Sequence, residues 1–276
     1  AGLPERVAGL TIDRQCAGSL DAILLAQAMV DSGAAEVVLA GGAESYSRRP
    51  LRAMPGADGV AVPYDQAPFT PWPDRDPEMG AAAAALADRL GISSEAQAAW
   101  AVESHAKAMG VADWPEIVKI DGISRDAFTR VMTPALASRA PRVAGSITAA
   151  TAAVAADAAA FVLVVSDRLA AGQGLRILSG ATLGGNPEEP GLVPVAAIAA
   201  ALARAGLRPE ALGTAEVMEA YAVQAMACVT GAALPPGIVN TGGGALARGH
   251  PIGAAGAILA VRLFQGLREG FGLAAI

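Results

Sequence analysis

The sequence predicts a layered α/β protein. Short apolar runs typical of buried strands are interspersed with longer segments whose apolar residues recur at helical spacing. Hydrophobic residues make up 53% of the chain but aromatic residues only 4%, and alanine accounts for much of the difference. Small side chains let helices pack closely against a sheet, which favours layers over a loose helical bundle. The 276 residues are enough for two domains with sizeable cores.

The elements are predicted in chain order from these patterns. An amphipathic pattern from Leu20 onwards predicts the first helix, and residues 37–40 form an all-apolar strand of the kind buried in a parallel sheet. Crowded prolines between Pro50 and Pro77 interrupt regular structure. Further helices are predicted at 79–90, 94–109, 194–205, after 215–224 and at 254–268, with strands at 161–165 and 270–276.

Charge and cysteine content exclude several classes of protein. The net charge of −6 argues against a nucleic-acid partner. Residues 147–165 are nearly uncharged, but Asp157 interrupts them, so we expect a buried helix followed by a strand and no membrane span. Two cysteines, Cys16 and Cys228, and the absence of a signal-peptide pattern at the first residue predict a soluble cytoplasmic protein. We expect Cys228 to lie in the core. No metal site is indicated.

Cys16 falls at or just before the N-terminus of the first predicted helix. The positive end of a helix dipole and its free backbone N–H groups stabilise a thiolate there. A buried, inert cysteine is the alternative, and the local sequence does not decide between the two.

His250 lies in a glycine-rich loop that begins at Asn240, and Pro251 disfavours a helical conformation at the histidine. A dinucleotide site is weakly indicated, because Gly242, Gly244 and Ala247 fit its spacing but no acidic residue clearly follows at the expected distance. A plain turn is the second alternative. We favour a catalytic histidine, since its pKa range suits proton transfer near neutral pH. His105 is predicted instead to be a solvated or capped histidine in the middle of a helix.

Three stretches resemble motifs of the thiolase family, enzymes that make or break 3-ketoacyl-CoA. They are the segment around Cys16, the run from Gly41 to Ser47, and the loop that contains Gly249, His250 and Pro251. The resemblance implies two similar α/β halves in a layered α-β-α-β-α arrangement with an inserted loop domain. It divides the chain into 1–47 (N-terminal half, first part), 48–145 (inserted loop domain), 146–170 (return strand of the N-terminal half) and 171–276 (C-terminal half).

The resemblance also implies the mechanism and the roles of particular residues. His250 takes the proton of Cys16, and the thiolate attacks an acyl-CoA carbonyl to form an acyl-enzyme, which then reacts with CoA or with an acyl-CoA enolate. The supporting residues near the oxyanion are Met218, Glu219 and Gly249; the substrate-binding residues are Met79, Ala153, Ala220 and Tyr221. Coenzyme A and acyl-CoA are substrates, with no permanently bound cofactor. A homodimer or homotetramer active in fatty acid metabolism is expected.

Two positions depart from the family pattern and leave alternatives open. Met218 stands where the family has an asparagine that holds a water, and Ala153 stands where it has a serine near the pantetheine of CoA. Methionine cannot donate a hydrogen bond to water. The alternatives are therefore a catalytically impaired homologue that acts as a CoA-binding or scaffold protein, and a condensing acyltransferase that uses only Cys16 and His250.

Overall fold

A computed structural model describes residues 2–111, 114–123 and 125–276. Its helices are α1 (Gly18–Asp31), α2 (Met79–Leu90), α3 (Ser94–Gly110), α4 (Pro134–Ser138), α5 (Asp167–Ala170), α6 (Val193–Ala205), α7 (Ala222–Gly231), α8 (Ala245–Arg248) and α9 (Ala255–Gly266). Its strands are β1 (Val37–Glu44), β2 (Arg52–Pro55), β3 (Ala61–Tyr64), β4 (Arg142–Ala144), β5 (Ile147–Thr148), β6 (Ala158–Val165), β7 (Leu212–Val217) and β8 (Phe271–Ala275).

Two helices, α1 and α9, form the centre of the molecule and pack against each other between two sheets. On one side β1 pairs with β6 in antiparallel register, so that Val37 lies opposite Val165. On the other side β7 pairs with β8 in parallel register, and Ala215 lies opposite Leu273. Cys16 precedes α1 and His250 precedes α9. The central layer therefore brings the two ends of the chain together.

The β1/β6 sheet follows the two-residue alternation of a strand. The inward-facing side chains Val38, Ala40, Val162 and Val164 pack on α1 and α9. The side chains between them face outwards and are exposed: Val37, Leu39, Phe161 and Leu163. One face of this sheet is thus core, and the other is an open apolar surface.

The β7/β8 sheet is covered on both faces, which explains why β7 is almost continuously buried. Val217 and Ala275 pack against α6 and α7, among them Ile198 and Cys228. On the opposite face Met218, just beyond β7, packs against α9. Four layers result in the described residues: β1/β6, α1/α9, β7/β8 and α6/α7.

Segments of the predicted inserted region cover the loop that contains His250. α2 packs against α7, while α3 packs against both α7 and α8. Glu78 caps α2 and Ser93 caps α3 through side-chain hydrogen bonds to Ala81 N and Ala96 N. α2 has the predicted bounds, and α3 extends one residue beyond its predicted end.

Two expectations, one about a strand and one about a helix, were wrong. Residues 37–40 belong to an antiparallel pair with one exposed face and not to a buried parallel sheet, because an all-apolar run does not reveal which neighbour it pairs with. Residues 149–157 contain no helix. The Thr151 hydroxyl accepts a hydrogen bond from Thr148 N at 2.9 Å, and such side-chain bonds compete with helix formation. This segment pairs instead with Tyr221 and His250.

Candidate active site

Cys16 lies in a short 3-10 helix, Gln15–Ala17, that runs directly into α1. Gln15 has a φ of 50°, a left-handed conformation that is uncommon outside glycine, and its N–H donates to Asp13 Oδ1 at 2.9 Å. This turn places the thiol at the head of the central helix. There the helix dipole favours a negatively charged sulfur.

The loop that contains His250 is anchored where it begins. Asn240 has a φ of 46° and is almost fully buried. Its amide makes two hydrogen bonds of 2.8 Å with the backbone of Val217, at the end of β7, and a third of 3.0 Å with Glu219 Oε1. The start of the loop is therefore fixed to the end of β7.

Glu219 holds the glycine run of the same loop. Besides Asn240, its buried carboxylate accepts hydrogen bonds from Trp100 Nε1 (3.0 Å), Ser104 Oγ (2.8 Å) and Leu246 N (3.2 Å). A Cβ atom at Gly244 would overlap this carboxylate. Glycine is thus required at position 244 because the loop passes so close to a buried charge.

The main chain of His250 is held by the segment that precedes β6. His250 N donates to Val154 O at 2.7 Å, and Ala156 N donates to His250 O at 3.2 Å. The same segment is joined to the end of β7, since Ala153 N donates to Ala220 O at 2.9 Å. Backbone hydrogen bonds on both the N–H and the C=O of His250 therefore fix the main chain that carries the imidazole.

These supports bring Cys16 Sγ within 3.0 Å of His250 Nε2, across 234 positions of sequence. That distance allows a hydrogen bond and direct proton transfer. Within the described residues, the buried Nδ1 of His250 has no hydrogen-bond partner. Among the described residues, the Cys16 thiol is therefore the one polar partner of the His250 ring.

Burial makes the resting pair neutral. It raises the pKa of the Cys16 thiol to about 11, with the charge of Glu44 adding to the rise and the backbone N–H of Cys16 opposing it. Burial also lowers the pKa of His250 to about 4. The proton therefore stays on sulfur at neutral pH, and the thiolate forms when it moves to the adjacent imidazole.

A cavity of about 1370 Å³ opens above this pair. Cys16 and His250 both line it, and so do the strand-end residue Glu44 and the last residue, Ile276. Such a volume exceeds the roughly 300–1,000 Å³ of a typical small-molecule site. The Cys16 thiol and the His250 imidazole are thus accessible to a large ligand.

Comparison with known proteins identifies the family. Residues 1–168 match the family model described as "Thiolase, N-terminal domain", and residues 174–276 match "Thiolase, C-terminal domain". The chain belongs to the thiolase family.

Other members are similar over nearly the whole chain. YhfS of Bacillus subtilis (strain 168), provisionally assigned as an acetyl-CoA C-acetyltransferase, is 36% identical over 278 residues, covering 96% of this chain and 73% of YhfS. VraB of Staphylococcus aureus (strain MRSA252), with the same provisional assignment, is 33% identical over 289 residues, covering 96% of this chain and 74% of VraB. The crystal structure of human mitochondrial 3-ketoacyl-CoA thiolase in complex with CoA is 29% identical and superposes with a TM-score of 0.86, covering 100% of this chain and 76% of that one. The predicted thiolase-like fold is therefore confirmed.

Some of the other predicted site residues of this thiolase line the cavity, and the others lie behind its wall. Five of these predicted residues line the cavity: Met79, Ala153, Met218, Ala220 and Tyr221. Glu219 and Gly249 are not among the cavity residues. Gly249, with a φ of 96°, lies against the Phe128 ring, so that a Cβ atom there would come within 3.2 Å of it.

Other residues differ from expectation or were not anticipated. His105 is buried, not solvated, and its Nδ1 accepts a hydrogen bond from Arg130 N at 3.4 Å. Cys228 is in the core, as predicted. The sequence analysis did not anticipate Trp100 and Ser104 as partners of Glu219. Their spacing of four places them on one face of α3, but nothing local identifies which buried group that face meets.

The described residues contain no group of three or more histidine, cysteine or acidic side chains able to hold a metal ion. Among them, no helix is both long and apolar enough to span a membrane.

Proposed function

We propose that this member of the thiolase family transfers acyl groups between CoA thioesters through an acyl-enzyme on Cys16. The reaction is the thiolysis of 3-ketoacyl-CoA or the reverse Claisen condensation. The observation that carries this proposal is the 3.0 Å contact between Cys16 Sγ and His250 Nε2 at the base of a large cavity. It is supported by relatives named for acetyl-CoA C-acetyltransferase and 3-ketoacyl-CoA thiolase activity.

The first half-reaction forms the thioester. His250 Nε2 accepts the thiol proton, and the Cys16 thiolate attacks the 3-keto carbonyl of 3-ketoacyl-CoA. The bond between C2 and C3 breaks, the acyl group stays on sulfur, and the departing enolate of acetyl-CoA takes the proton that His250 holds. The N-terminus of α1 stabilises the thiolate before the attack.

The second half-reaction returns the free thiol. In thiolysis, His250 takes the thiol proton of CoA, the sulfur of CoA attacks the Cys16 thioester, the carbon–sulfur bond to Cys16 breaks, and the cysteine recovers that proton from His250. In condensation, His250 takes the C2 proton of an acyl-CoA instead, the resulting enolate attacks the thioester, a carbon–carbon bond forms as the carbon–sulfur bond to Cys16 breaks, and the proton returns to the cysteine. Tyr221, whose pKa is raised to about 12 by burial and then by the charges of Glu78 and Cys16, remains a protonated donor in this cavity at neutral pH.

The substrates that we propose are CoA and acyl-CoA, with no permanently bound cofactor. Met79 borders the cavity at the start of α2, and Ala153, Ala220 and Tyr221 border it next to the catalytic pair. We assign these four residues to substrate binding. Met218, Glu219 and Gly249 are assigned to support of the oxyanion region. Glu219 acts through the loop, because its carboxylate is occupied by four donors.

We further propose a cytoplasmic homodimer or homotetramer that acts in fatty acid metabolism. The exposed apolar face of β1/β6, formed by Val37, Leu39, Phe161 and Leu163, supports self-association because such faces mark interaction sites. Free thiols at Cys16 and Cys228 fit a reducing compartment. Light scattering on the full-length protein tests the assembly, and a monomer would contradict it.

The product mixture tests the function. Purified protein incubated with acetoacetyl-CoA and free CoA is expected to form acetyl-CoA, and Cys16→Ser is expected to form none. A condensing acyltransferase that uses only Cys16 and His250 is an alternative that the relatives' named activities do not favour. It would form a 3-ketoacyl-CoA from two acyl-CoA molecules without catalysing thiolysis. The scaffold alternative is not favoured. Binding of CoA without either reaction would support it.

A further inference from the structure

A short segment of the predicted inserted region, residues 126–129, lies beside the three residues that precede His250. Thr129 Oγ1 donates to Ala247 O at 3.0 Å, and the Phe128 ring covers Gly249. Asp126 forms an ion pair of 2.8 Å with Arg248, the residue between Ala247 and Gly249. Each residue of the 247–249 stretch thus meets a side chain from this segment.

Arg248 joins three parts of the site through its planar guanidinium. Nη2 and Nε donate to Gly242 O at 2.8 and 3.3 Å, and Nη1 donates to Asp126 Oδ2 at 2.8 Å. Gly242 lies in the glycine run, six positions earlier. The arginine therefore closes the loop on itself and ties it to the inserted region. A guanidinium can make these bonds in several directions at once, whereas an ammonium group cannot reproduce this planar arrangement.

An aromatic ring holds the guanidinium in place. Arg248 lies 5.5 Å from the centre of the Trp114 ring, and Arg262 lies 5.1 Å from it. Arg262 in turn forms a buried 2.9 Å ion pair with Glu216 of β7. The Arg248 side chain is only 15% exposed. Its position is therefore set by packing as well as by hydrogen bonds.

We propose that Arg248, held by Asp126, is a positioning residue for His250. Two peptide units separate Arg248 from His250, and Gly249 between them has a φ of 96°. A shift of Arg248 would therefore move the imidazole relative to Cys16. The inference rests on the proposed role of His250 as the base of Cys16. A misplacement of about 1 Å is enough to slow such a proton transfer up to about a hundredfold.

The test measures the alkylation of Cys16 by iodoacetamide as a function of pH, with peptide mass spectrometry to separate Cys16 from Cys228. The variants are Arg248→Gln and Asp126→Asn. The matched control variants are Arg176→Gln and Asp167→Asn, which break an exposed ion pair of 2.7 Å that lies outside the site.

We expect both site variants to lower the alkylation rate at pH 7 about 10- to 100-fold. A decrease in both variants distinguishes a positioning effect from an effect of charge alone. If only charge mattered, loss of the arginine would slow thiolate formation and loss of the aspartate would accelerate it. In a His250→Ala background, neither variant should cause a further decrease. The control variants should react as fast as the unmodified protein.

Opposite effects of the two variants, unchanged rates, or equal decreases without His250 would each overturn the inference. If Arg248→Gln fails to fold, the same measurements are made on Asp126→Asn and Arg248→Lys. Asp126→Asn preserves the shape of the side chain. Because alkylation needs no acyl-CoA, its outcome is independent of the proposed function. A protein that turns over no acyl-CoA but shows the expected pattern would contradict that function and leave this inference standing.

Discussion

The N–H of Gly253 donates a 3.0 Å hydrogen bond to the carboxylate of Glu44 at the end of β1, so the first strand is joined to the residues that follow His250. Glu44 also lines the cavity, where its negative charge contributes to the raised pKa of Cys16. Glu44 thus both supports the loop and opposes ionisation of the Cys16 thiol.

Glu44→Gln removes that charge while retaining an oxygen that can accept from Gly253. The pKa of Cys16 should fall by less than one unit, so we expect alkylation at a fixed pH to accelerate roughly two- to tenfold. Rates with iodoacetamide test this expectation, with Glu36→Gln on the exposed surface as the control. A slower reaction would show that the carboxylate assists the thiol.

The two shifted pKa values predict an unusual pH dependence for Cys16. Between about pH 4 and pH 11, the pair carries one transferable proton, so the fraction present as thiolate and imidazolium does not change. Below this window His250 is already protonated and cannot accept the proton. Within the window, a second thiolate population, beside a neutral imidazole, grows about tenfold per pH unit as the thiol loses its proton to solvent.

We therefore expect the rate of Cys16 alkylation between pH 5 and pH 9 to be the sum of a pH-independent part, from the thiolate–imidazolium pair, and a part that rises about tenfold per pH unit. In His250→Ala, only the rising part should remain, as it does for an isolated thiol. Identical profiles for the two proteins would exclude proton transfer to His250 as a source of the thiolate.

Glu219→Gln should destabilise the fold. An amide has only one oxygen, so its NH₂ group would face donors that now point at the carboxylate. We expect the free energy of unfolding to fall by about 1–3 kcal/mol, measured by urea denaturation. Glu103→Gln on the exposed side of the neighbouring helix should change it by less than about 0.5 kcal/mol. Equal effects would mean that Glu219 does not anchor the loop.

Met79→Trp should make the reaction more selective for short acyl groups. Met79 borders the cavity at the start of α2, so a larger side chain there reduces the space in the cavity that Cys16 also lines. We expect kcat/KM to fall at least about tenfold more for a long-chain 3-ketoacyl-CoA than for acetoacetyl-CoA. Met109→Trp, at the exposed end of α3, serves as the control. Equal losses for both substrates would place the acyl chain elsewhere.

The sequence was sufficient to predict most helices and to single out Cys16 and His250, which the structure places in contact, as the proposed catalytic pair. Cys16 and His250 lie in stretches whose residue types restrict the backbone, a helix start in one case and glycines followed by Pro251 in the other. Their meeting could only be inferred through the family resemblance, because a contact across 234 positions depends on the packing of α1 on α9.

What the sequence could not supply were the long-range partners of buried polar groups. Glu219 reads locally as one acidic residue at a strand end, and its four donors come from α3, Asn240 and α8. Arg248 similarly has no local sign of Asp126, which lies 122 positions earlier. Such pairings depend on tertiary structure and leave no periodic pattern along the chain.

The most direct test of the central claim is the mass of the protein after brief exposure to acetyl-CoA or a longer acyl-CoA. We predict an increase of one acyl group, located on the peptide that contains Cys16, greatly slowed in His250→Ala and absent in Cys16→Ser. An unchanged mass with every acyl-CoA, or an acyl group on another residue, would contradict acyl transfer through this thiol.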